Sequence, residues 1–74
     1  MMSTEQLKNE VFNRLKYKPF EWRDGQFVFN YIDNEYGVAR TAQFKYGVDC
    51  FYNDNKINEF IELCAQLISE IRNE

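Results

Sequence analysis

From Ile57 onward the apolar residues recur at a single spacing. Ile57, Phe60, Ile61, Cys64, Leu67, Ile68 and Ile71 fall on one side of a 3.6-residue period, and Asn58, Glu59, Glu62, Gln66, Ser69, Glu70 and Asn73 fall on the other. Asn53-Asp54-Asn55 in front of the run is a turn and N-cap cluster, so the spacing predicts a helix from Asn55 to Ile71. A stripe this wide must be covered. Only 74 residues (9.0 kDa) exist to cover it, so the chain reads as one domain, residues 1–74.

The other end carries a second helix signal. Ser3-Thr4-Glu5-Gln6 has the form of a capping box, with Ser3 as N-cap and Gln6 reaching back to it. Leu7, Val11, Phe12 and Leu15 follow at helical spacing, and Pro19 disfavours helix at Lys18. The expected helix runs from Thr4 to Tyr17.

Between these helices the pattern alternates. Asp24-Gly25 separates Phe20-Glu21-Trp22-Arg23 from Gln26-Phe27-Val28-Phe29-Asn30-Tyr31-Ile32, which is a strong signal for a two-residue hairpin turn. In that register Phe20, Trp22, Phe27, Phe29 and Tyr31 share the core face. A four-residue loop ending in a left-handed Gly37 brings Val38, Arg40, Ala42 and Phe44 onto it, and a Lys45-Tyr46-Gly47 loop adds Val48, Cys50 and Tyr52. The expected fold is therefore α+β: an α-β-β-β-β-α antiparallel meander with both helices on one sheet face. Its outer strands are short enough that three could be counted. The opposite sheet face would be open to solvent.

Several function classes lose their chemistry at the level of composition. With no histidine there is no imidazole base, no Ser–His or Cys–His pair and no histidine zinc ligand. Cys50 and Cys64 fit neither a zinc nor a CxxC spacing and read as free thiols acting as small core hydrophobes. No glycine-rich phosphate loop is present. The expectation is a protein that is not an enzyme, with no cofactor and no metal site. The uninterrupted apolar runs are too short for a membrane span or a signal-peptide core, so a soluble, cytoplasmic protein is expected.

The net charge of −3 argues against a general nucleic-acid binder, whose affinity comes from neutralising phosphates. The charge is unevenly spread. Residues 1–20 carry Lys8, Arg14, Lys16 and Lys18 against Glu5 and Glu10, whereas residues 54–74 carry Asp54, Glu59, Glu62, Glu70 and Glu74 against Lys56 and Arg72. The order helix, antiparallel strands, helix is similar to that of the double-stranded RNA-binding domain. That resemblance implies a lysine cluster opening the last helix. Here Asn53–Glu59 holds one lysine and two acids, so no RNA-binding residues carry over.

What remains is a small acidic protein-binding module. The abundance of Asn, Lys, Ile, Tyr and Phe suits an AT-rich genome, and with the small size it suggests an inhibitor or adaptor of a host complex encoded by a phage or mobile element. The expected partner-binding residues are Val28, Ile32, Thr41 and Phe51 on the open sheet face, Tyr36 and Tyr46 at the turns, and Glu59, Glu62 and Glu70 on the last helix. Arg40, the one charge on the expected core face, is either a snorkelling residue with a carboxylate partner or an anchor for an anion. Homodimerisation through the sheet is a further expectation. Two alternatives are a nucleic-acid mimic that blocks a DNA- or RNA-binding enzyme through the acidic helix, and direct nucleic-acid binding through Lys8, Arg14, Lys16 and Lys18.

Overall fold

The computed structural model describes residues 2–72, with Arg72 as backbone only; Asn73 and Glu74, expected to be solvated, lie outside the described residues. The order of elements is α1 (Thr4–Leu15), α2 (Asp24–Tyr36), α3 (Ala39–Tyr46), a 3-10 turn (Asp54–Lys56) and α4 (Ile57–Arg72). There is no strand among the described residues. This overturns the α+β meander and its antiparallel sheet, and with them the layout resemblance to the RNA-binding domain.

The two outer helices form close to where the sequence places them, with α4 opening at Ile57 behind the 3-10 turn rather than at Asn55. Ser3 Oγ accepts from the Gln6 amide at 3.0 Å, and Gln6 Oε1 accepts from the Ser3 amide at 2.9 Å, so the capping box closes. Helix α1 ends at Leu15 rather than Tyr17, because the Tyr17 and Lys18 amides bond back to the Arg14 and Leu15 carbonyls and tighten the last turn ahead of Pro19. In α4 the predicted stripe is the core: Phe60, Ile61, Cys64, Leu67 and Ile68 are buried, joined by Ala65, while Ile57 is half-buried and Ile71 exposed.

Residues 24–46 are where alternation misleads. The run from Phe27 to Ile32 also holds Val28 and Ile32 four apart, and Phe27 and Tyr31 four apart, which is one face of a helix. In α2 it is Val28, Phe29 and Ile32 that are buried, and the Phe27 and Tyr31 rings stack along the flank at 6.2 Å. Asp24-Gly25 opens this helix instead of turning a hairpin, and Gly25 is not at positive φ. Helix α3 buries Ala39 and Ala42 and turns Arg40, Thr41 and Phe44 outward. Residues 48–52, the expected last strand, are irregular.

Gly37 and Gly47 do adopt left-handed φ, 71° and 72°, but as helix C-caps rather than as hairpin residues. The Gly37 amide donates to the Ile32 and Asp33 carbonyls, and the Val48 amide closes onto Ala42. Helix α4 packs against all three other helices. The Ser69 hydroxyl donates to the Met2 carbonyl at 2.7 Å, which ties the start of α1 to the far end of α4 and sets the two antiparallel. The radius of gyration, 11.3 Å, equals what length scaling gives a compact chain of this size, about 11 Å.

Candidate functional site

The buried interior is apolar, with no buried polar or charged side chain among the described residues. Among the polar contacts near the surface, two junctions bring several residues together. At the first, Asp54 joins the 50–54 segment to the start of α2. Its Oδ1 accepts from the Gly25 amide at 3.0 Å and from Arg23 Nη1 at 3.3 Å, and Arg23 Nη2 donates to the Phe51 carbonyl at 2.8 Å. Asp54 thus satisfies an orphan amide in the first turn of α2 from 29 residues away, and Cys50 Sγ donates to the Gly25 carbonyl beside it.

At the second junction the hydroxyls of Tyr31 and Tyr36 both donate to the Glu10 carboxylate, at 2.5 and 2.7 Å. The Tyr31 hydroxyl is pushed up to about 12, first by burial and then by its bond to Glu10. Burial likewise raises the Cys50 and Cys64 thiols to about 12, with the Asp49 charge adding to the shift at Cys50. Both cysteines are free and buried, and thiols so raised are poor nucleophiles. No group of three His, Cys, Asp or Glu side chains capable of holding a metal occurs among the described residues. No helix among them is long and apolar enough to cross a membrane.

The residues expected to bind a partner are dispersed. Val28 and Ile32 are fully buried under α4 and present nothing to a partner, because the sheet face that would have displayed them does not exist. Phe51 is half-buried, its ring edge-on to Phe29 at 5.5 Å. Tyr36 is half-buried at the Glu10 junction. Thr41, Tyr46, Glu59, Glu62 and Glu70 are exposed. Arg40, expected against the core, is instead 75% exposed in its side chain and 3.6 Å from Asp33. Of the basic residues near α1, Lys18 is engaged, donating to the Trp22 carbonyl at 2.8 Å and pairing with Asp24 at 3.7 Å.

Two of the most exposed large apolar side chains are ones that the alternating pattern assigned to the core. Phe20 is 95% exposed and Phe44 80% exposed. A helical reading of 39–46 brings Phe44 out, since Ala39 and Ala42 then take the inner face and residues 40, 41 and 44 the outer one. Phe20 carried no such local signal. Comparison with known proteins adds no assignment: no family model, curated protein or solved structure matches the chain.

Proposed function

We propose that the chain is a small protein-binding module without catalytic activity, an inhibitor or adaptor that docks through the outer face of α3. The observation that carries this reading is the exposure of Phe44 on a short helix closed by a left-handed glycine. A phenylalanine left in water on a fixed backbone supplies contact area at little cost in order when a partner covers it. Arg40 and Thr41 lie one turn before it on the same side, and Lys45 adjoins it. An apolar socket edged by carboxylates is the complementary partner surface.

The test is capture of nuclease-treated host lysate on the tagged protein, with Phe44→Asp and the triple reversal of Glu59, Glu62 and Glu70 to lysine run in parallel. The expected result is one enriched protein that is lost on Phe44→Asp at unchanged helicity and kept on the triple reversal. Retention on Phe44→Asp, or no enriched protein at all, overturns the reading. Loss only on the triple reversal, with strong salt dependence, transfers the function to nucleic-acid mimicry.

A further inference from the structure

We propose that the end of α1 is a seat for single-stranded nucleic acid: Arg14 and Lys16 take backbone phosphates in a cleft, and Tyr17 and Phe20 take bases on their ring faces. The first observation is which cations are free. Lys18, Arg23, Arg40 and Lys56 each pair with a carboxylate of the chain at 3.3–3.7 Å, and Lys45 lies over the Tyr46 ring. Arg14 and Lys16 are exposed and have no ion pair among the described residues. Glu10, one turn before Arg14 and spaced to pair with it, instead accepts from the Tyr31 and Tyr36 hydroxyls. The segment from Asn13 to Phe20 contains no acid. A phosphate therefore meets both cations without first breaking an ion pair.

The second observation is where these cations stand. Arg14 and Lys16 line one cleft of about 340 Å³ with Asn13 and Tyr17. Two cations, an amide and a phenol are groups that contact phosphate oxygens. The third is the pair of rings beside it. Tyr17 is 83% exposed and Phe20 95% exposed. Their backbone is fixed: the Tyr17 amide donates to the Arg14 carbonyl, the Trp22 amide to the Pro19 carbonyl, and Lys18 Nζ holds the Trp22 carbonyl. Three residues of chain separate the rings, at most about 11 Å, so a short stretch of one strand reaches both. Exposed rings next to cations hold the bases of a single strand with little regard to sequence. An acidic peptide would meet the cations but offers no flat partner to the rings. A lipid surface would take Phe20 but does not reach into a cleft. The net charge of −3 opposes a long duplex, which confines the contact to a short single strand.

The experiment is fluorescence anisotropy of a labelled thymidine oligonucleotide, about twenty nucleotides long, titrated with the full chain over a range of salt. Binding should saturate, and the logarithm of the affinity should fall with the logarithm of salt at a slope of about −1.4, or about −0.7 for each of two phosphates. Changing Arg14 and Lys16 together to glutamine should flatten that slope. Tyr17→Ala and Phe20→Ala should each weaken binding by at least about fivefold at an unchanged slope. All four positions are exposed, so helicity by circular dichroism should hold in every variant. Phe44→Asp should bind as the wild type does, which separates this seat from the α3 docking face. A wild type that does not bind at low salt overturns the proposal, as does an unchanged slope in the double variant or wild-type affinity in both ring variants. Pelleting with phosphatidylserine vesicles in the absence of oligonucleotide binding overturns it in favour of a lipid surface.

Discussion

Gly25 shows how one side chain's absence organises a junction. Its backbone is helical, so conformational freedom is not the reason for it. A Cβ there would run into the Cys50 carbonyl oxygen and stand 2.6 Å from Asp54 Oδ1. The glycine lets the first turn of α2 approach the 50–54 segment closely enough for Asp54 to accept its amide. In an exposed helix, replacing glycine by alanine gains roughly 1 kcal/mol. Gly25→Ala should instead destabilise by about 1–3 kcal/mol, the cost of overpacking with a neighbour that is main chain and cannot step aside. Urea unfolding of the two proteins reads this directly, and a raised midpoint would contradict the packing argument. Asp-Gly was legible as a special dipeptide, but its role was not. The partner that requires the glycine is 25 residues away, and a hairpin turn uses the same two letters.

At the level of elements, α1 and α4 were legible and α2 and α3 were not. The first two have one periodicity each, and α1 is marked by a capping box that closes within three residues. Residues 27–32 satisfy a period of 2 and a period of 3.6 together, so local pattern alone could not choose. Ala39, Arg40, Ala42, Gln43 and Lys45 are good helix formers, a propensity that the strand register of Val38, Arg40, Ala42 and Phe44 left out of account. The glycine stops at 37 and 47 hold in either fold, since a left-handed residue ends a helix as well as it turns a hairpin. Neither has a neighbour within 4 Å of an added Cβ, so substitution there tests backbone conformation alone. Gly37→Ala and Gly47→Ala should each cost about 1–2 kcal/mol in thermal or chemical unfolding. A neutral result at both would mean that the caps are not held in the left-handed region.

For the whole molecule, proton linkage sets a stability limit on the alkaline side. Tyr31, Cys50 and Cys64 titrate at about 12 in the folded chain, against ordinary values of 10.0 for the phenol and 9.0 for the thiols. The folded state therefore holds these protons more tightly than the unfolded state does. The stability these three protons contribute is full below pH 9 and declines as pH rises through the interval from 9 to about 12. Urea midpoints measured across that interval should fall, and Tyr31→Phe should flatten the part of the decline above pH 10. A flat profile would mean that the core admits thiolate and phenolate freely. The sequence by itself determined the two outer helices with their inward faces, the left-handed backbone at Gly37 and the lack of imidazole chemistry. Tertiary structure decided that residues 24–46 are helical, that Phe20 and Phe44 face water, and that Asp54 caps α2. The physical reason is that an ambiguous apolar period is resolved by the surface it must cover, here the flanks of α1 and α4, and contacts across 25 to 29 residues leave no mark on local spacing.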